Sequence, residues 1–81
     1  MENYVLPIKT LHGTKPESLL QDYLNAIDAM RTLQQKFNSI EFNARDYVTF
    51  DAYCKAREQR IDEYLKLVEV EAYLNTIAES I

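Results

Sequence analysis

Phe42-Asn43-Ala44-Arg45-Asp46-Tyr47-Val48-Thr49 decides how this chain folds, because a long amphipathic segment lies on each side of it. Asn43 and Asp46 bond readily to nearby backbone, and the β-branched pair Val48 and Thr49 weakens helix continuation. The stretch therefore predicts the turn of a helical hairpin. It also holds the one dense group of hydrogen-bonding side chains at a break in the pattern, which makes it the first candidate for a site.

Upstream, Leu20, Leu24, Ile27, Met30, Leu33, Phe37 and Ile40 recur at steps of three and four, one stripe of a 3.6-residue period. Thr14-Lys15-Pro16-Glu17 fits a capping box, with Thr14 as N-cap and Pro16 tolerated in the first turn. A first helix is expected from about residue 15 to about residue 41. Asp28 is placed to pair with Arg31 or Thr32 across one turn.

Downstream, Thr49 is the N-cap candidate and Asp51 falls where the positive end of a helix dipole favours it. A second helix is expected from about residue 50 to about residue 79. Its apolar positions form two rows: Cys54, Ile61, Leu65, Val68 and Ala72 in one, and Tyr53, Ala56, Tyr64, Leu67, Leu74, Ile77 and Ile81 in the other. One antiparallel partner covers a single stripe, so the excess calls for a second neighbour.

The single glycine, Gly13, and both prolines, Pro7 and Pro16, lie at the front of the chain. Tyr4-Val5-Leu6-Pro7-Ile8-Lys9-Thr10-Leu11 reads as an extended arm, too apolar for a free tail, that packs over the hairpin or onto a neighbouring chain. The expected architecture is all-α: residues 1–13 an arm, residues 14–81 a helical hairpin domain, associating into a dimeric or higher bundle.

Composition narrows the chemistry. At 81 residues the chain is one domain at most, and a core of this size is marginal without further support. A lone Cys54 and a lone His12 rule out an internal disulfide and leave no Cys/His set for a metal. No run reaches the roughly 18 to 20 apolar residues of a membrane span, and Met1-Glu2-Asn3-Tyr4 lacks the order of a signal peptide, which suggests a reducing, cytoplasmic setting. Nine Lys and Arg against 13 Asp and Glu give a net charge of −4, which opposes phosphate-backbone binding and argues against nucleic acid as partner.

Catalysis finds little to work with. His12 before Gly13 is a turn residue by type, and Cys54 in an apolar row is a small buried hydrophobe. Asp62 with Glu63, and Glu69 with Glu71, point to different sides of a helix. No cofactor, metal or catalytic residue is expected. What remains is Arg45, Lys55, Arg57 and Arg60, interleaved with Tyr47, Tyr53 and Tyr64. Arginine offers a planar fork for phosphate or carboxylate and tyrosine a stacking face, so Asn43, Arg45, Tyr47, Tyr53, Arg57 and Arg60 suit a small anionic, nucleotide-like ligand. The plainer reading stays open: Arg45 and Asp46 brace the turn, Tyr47 caps the bundle end, and Lys55, Arg57 and Arg60 pair with Asp51, Glu58, Asp62 and Glu63. Arg60 fits that reading least, because it sits in the second apolar row.

At the turn the chain resembles a group of small proteins encoded by bacteriophages and prophages, in which one helix is followed by Asn-(Gly or Ala)-Arg-Asp-Tyr-Tyr and then a second helix. Here the motif stands as Asn43-Ala44-Arg45-Asp46-Tyr47-Val48, followed by Asp51-Ala52-Tyr53 and Ala56-Arg57-Glu58, with Val48 in place of the second tyrosine. The resemblance covers roughly residues 19 to 80 and leaves out the arm. It implies a phage-type origin and a hairpin fold rather than a reaction. Small phage proteins of this kind act on the host, by blocking a defence protein or by sequestering a nucleotide messenger. The expectation is a non-enzymatic, anti-defence protein in the cytoplasm of a host bacterium that sequesters a small anionic signal near the turn or at a subunit interface. Its alternatives are an inhibitor that blocks a host defence protein and a purely structural oligomerisation module.

Overall fold

Lys15 precedes a proline, which pushes it out of the α region, and it adopts φ −58° and ψ 134°. Pro16 then opens α1 (Pro16–Ser39) at the position where a missing amide is tolerated, and the Leu19 amide donates to the Lys15 carbonyl at 3.0 Å. This corrects the expected capping box. Lys15, not Thr14, is the N-cap and no side chain caps the helix, because a helix cannot begin before the residue that the proline holds extended. The computed structural model describes residues 4–8 and 13–81; Lys9, Thr10, Leu11 and His12, expected to continue the arm and its turn, lie outside them.

α1 ends at Ile40, which is extended at φ −63° and ψ 125° and whose amide donates to the Phe37 carbonyl at 3.2 Å. The turn is a 3-10 segment, Ala44–Asp46, closed by bonds from Asp46 N to Asn43 O and from Tyr47 N to Ala44 O, each 3.1 Å. Thr49 caps α2 (Phe50–Ser80) as expected, its hydroxyl accepting from the Ala52 amide at 3.0 Å with Asp51 in the first turn. The fold is therefore an all-helical hairpin, and no described residue, Gly13 included, has positive φ.

The two helices meet along a seam with a 3.5-residue repeat. From α1 it takes Leu20, Tyr23, Ile27, Met30, Gln34 and Phe37; from α2 it takes Tyr53, Ala56, Arg60, Tyr64, Leu67, Glu71, Leu74 and Ala78, all at least half-buried. The expected row of α2 that contains Tyr53, Tyr64, Leu67 and Leu74 is thus the inward one. On α1 the 3.6-residue stripe is partly wrong: Leu24, Leu33 and Ile40 are exposed, and Tyr23 and Gln34 take inward places. Straight helices drift against a 3.5 repeat, and packing holds the seam to the shorter period. Gln34 is tolerated there because its amide donates to the Leu67 carbonyl at 3.5 Å. Arg31 reaches across to Glu71 at 3.6 Å rather than back to Asp28, whose carbonyl accepts from the Thr32 hydroxyl at 3.1 Å.

This geometry leaves a slab with two broad faces. One carries the edges Leu24, Arg31, Asn38 on α1 and Cys54, Ile61, Val68, Asn75 on α2, each spaced by seven. The other carries Leu33 and Ile40 on α1 and Glu63 and Val70 on α2, with half-buried Ala56 and buried Ile77 where that edge meets the seam. The arm lies at the second face: the Tyr4 ring meets Tyr73 edge-on at 5.1 Å, and Pro7 and Ile8 lie beside Leu19, Ser80 and Ile81. Tyr23 joins Tyr73 there, and partial loss of hydration first, then the Tyr73 hydroxyl, raises its pKa above the usual tyrosine value. Among the described residues only Ile27 and Ile77 are fully buried apolar groups. No described helix is long and apolar enough to cross a membrane.

Three substitutions separate these features. Ile77→Ala, at 1% exposure, should cost about 2–5 kcal/mol of stability. Thr49→Ala should cost about 1 kcal/mol through its lost cap. Thr14→Ala should stay within about 0.5 kcal/mol, because it caps nothing. Urea denaturation of the three variants checks all three values, and a Thr14 effect as large as that of Thr49 would contradict the observed helix start.

Candidate functional site at the turn end

Arg60 occupies an inward seam position, so its side chain meets the last turn of α1. There Nη2 donates to the Phe37 carbonyl at 3.3 Å, and the guanidinium carbon lies 5.6 Å from the Phe37 ring centre and 5.1 Å from that of Phe42. The carbonyls of a helix's last turn lack intrahelical partners, and the negative end of the dipole favours a cation. Two aromatic faces hold the same cation by its charge, and aliphatic packing of its stem accounts for how an arginine fits an apolar row. Arg60 thereby ties α2 to the C-terminal end of α1.

An aromatic cluster fills the end of the hairpin beyond it. Phe42 stacks on Tyr53 at 5.0 Å and 25°, and meets Tyr47 at 5.5 Å and 60°. Tyr47 and Tyr53 lie 6.0 Å apart, and Phe50 lies 6.0 Å from Tyr53. Such pairs contribute on the order of 0.5–1.5 kcal/mol each beyond their burial. The turn is held by backbone bonds and these rings. Arg45 and Asp46, expected to brace the turn, are exposed and, among the described residues, neither takes part in a side-chain ion pair.

Arg60, Phe37 and Phe42 form a partition between two grooves, one opening on each face of the slab. The groove of about 420 Å³ is lined by Glu41 and Glu63, with Ile40, Tyr47, Ala56 and Gln59. The groove of about 340 Å³ is lined by Arg57, with Asn38, Ile61 and Tyr64, and no carboxylate faces it. The two grooves thus differ in sign. Anions are favoured only in the second, where Arg57 and Arg60 converge beside the rings of Phe42 and Tyr64.

Of the six residues singled out from the sequence, Arg57 and Arg60 share that basic groove. Tyr47 lines the acidic one, Tyr53 belongs to the aromatic cluster, and Asn43 and Arg45 line neither groove. Asn38, Phe42 and Tyr64 complete the basic wall and were not in that set. Tyr64 is among the tyrosines interleaved with the arginines, and its position four residues after Arg60 and seven after Arg57 is the signal that would have added it to the six. Asn38 and Phe42 carry no such signal, because only closure of the hairpin brings the end of α1 to them. Elsewhere Lys55 pairs with Asp51 at 3.3 Å, as the bracing reading expected. Lys66 takes Glu63 at 2.9 Å, and that hydrogen bond raises the Lys66 pKa.

Comparison with protein-family models, with curated proteins and with solved structures finds no match to this chain.

Arg60→Met keeps much of the stem but removes the charged hydrogen bond, and should cost about 1.5–3 kcal/mol of stability. Arg60→Lys should recover part of that loss, since a lysine retains the charge without the planar fork. Arg45→Ala should change stability by no more than about 0.5 kcal/mol. Chemical denaturation measures all three, and equal effects at positions 45 and 60 would contradict the anchoring role.

Proposed function

We propose that this chain is a non-enzymatic, phage-type host-interaction protein that works as a self-associated helical bundle. The observation that carries the reading is the shape of one hairpin. Its extents are 60 × 24 × 15 Å, so its short axis is little more than one helix thick. A radius of gyration of 17.9 Å compares with about 12 Å for a compact domain of this length. The resemblance at Asn43–Val48 supports the phage-type origin and a setting in the host cytoplasm. The non-enzymatic part rests on the residues: Cys54 and the acidic pairs of α2 offer no nucleophile with an adjacent base. Light scattering at micromolar concentration should give a mass of at least twice the 9.5 kDa of one chain. A monomer mass would remove the reading.

A specific observation favours small-ligand sequestration as the task of such a bundle. Two guanidiniums and three aromatic rings line one groove without a carboxylate, a combination that suits a planar or phosphorylated anion. Titration calorimetry against cyclic dinucleotides, cyclic trinucleotides and cyclic ADP-ribose isomers should show binding, weakened roughly ten- to a hundredfold by Arg57→Ala. Folding should be little affected, because Arg57 is exposed. Absence of heat with every ligand would favour the alternative, a blocker of a host defence protein. For that role the exposed tip of Val48 and Phe50 offers an apolar patch.

A further inference from the structure

We infer that the second layer of the bundle is another copy of this chain, seated on the face of Ile61, Leu65, Val68 and Ala72 with the two α2 helices antiparallel. The inference rests on the self-association reading and adds to it the face, the orientation and the register.

The area calls for a partner. The hairpin exposes 6680 Å², against about 5,000 Å² for a folded monomer of this mass. The surplus exceeds the roughly 800 Å² that each partner contributes to a standard interface. Apolar side chains account for a contiguous part of it. Ile61 is 53% exposed, Leu65 51% and Val68 41%. With Ala72 they follow steps of four, three and four, one stripe on α2 of about 16 Å.

Charge and side-chain size choose the occupant. The α1 edge on this face is Gln21, Leu24, Asp28, Arg31, Gln35 and Asn38, which is mostly polar and would cover the stripe poorly. Another α2 stripe is apolar along its whole length. Arg60 turns inward to the Phe37 carbonyl and Glu71 is held by Arg31, so the outer surface of residues 50–60 carries Lys55 and Arg57 against Asp51 and Glu58, whereas that of residues 67–81 carries Glu69 and Glu79 with no cation. A parallel pair would set the acidic end against its own copy, while an antiparallel pair sets it against the balanced end that carries Lys55 and Arg57 and opposes the helix dipoles. With the two-fold axis between Leu65 and Val68, Ile61 lies over the partner's Ala72, and Leu65 over the partner's Val68. Large then meets small, as close packing requires. The opposite face is less suited, because Leu33, Ile40 and Val70 do not form one stripe and the arm occupies one end of it.

Cysteine cross-linking in the full chain tests the arrangement. In a Cys54→Ser background, Ile61→Cys and Ala72→Cys are made as separate proteins, and both sites are exposed enough to leave the hairpin seam intact. A short bis-maleimide should give covalent dimers when the two proteins are mixed and equilibrated, and little with either alone, since each position lies about 16 Å along the axis from its own copy. Abundant cross-linking of either protein with itself would overturn the register. A dimer by light scattering that shows no cross-link in the mixture would overturn the face while leaving self-association standing. A monomer would overturn both. Leu65→Glu supplies an independent check: the helical circular dichroism should persist and the mass should fall to that of one chain, and an unchanged mass would count against this face.

Discussion

Two antiparallel helices can cover each other only along one seam, and the rest of this molecule follows from that limit. Each helix has a 3.5-residue row turned to its neighbour, and every other row meets solvent or a further layer. With 31 residues in α2 and two apolar rows along it, one row is left uncovered by α1. That uncovered row explains why so few side chains are fully buried, and why two long, regular helices still make so thin a body. Isolated helices draw little stability from propensity alone.

The turn end is where the hairpin compensates. Arg60 faces inward at a place where an aliphatic residue would pack, and the helix end opposite supplies what a guanidinium needs: a last-turn carbonyl with a lone pair left beside its bond from the Ile40 amide, the negative pole of the dipole, and two ring faces. One residue thereby sets the approach of the helices and divides the surface beyond into an acidic and a basic groove. Structural and binding roles are not exclusive for such a side chain. Arg60 holds the partition while Arg57, one turn earlier, is exposed and lines the basic groove.

At the far end the arm plays a comparable part with apolar means. Tyr4 against Tyr73, with Tyr23 alongside, and Pro7 and Ile8 beside Leu19 and Ile81 add a short third strip to the slab on one face only. The two faces thus become unequal, one partly roofed by the chain's own arm and the other bare along α2.

The hairpin, the Thr49 cap and the presence of two apolar rows on α2 were readable in the amino-acid sequence, because periodicity, capping and breaker residues act within a few positions of the chain; which of the two rows turns inward was not. The start of α1 was misread by one residue where Pro16 overrode the Thr14 capping pattern, and its inward row was misread where packing imposed 3.5 residues per repeat on a helix that alone prefers 3.6. For the site, the sequence identified Arg57 and Arg60 as neighbours on one helix. Only the tertiary structure decided that Arg60 turns inward to the Phe37 carbonyl, that Asn38 from α1 and Phe42 from the turn join it, and that Arg45 stands apart from both grooves. Those facts depend on where the C-terminal end of one helix lands against the other, which is set by the seam between them and the length of the turn rather than by any local preference.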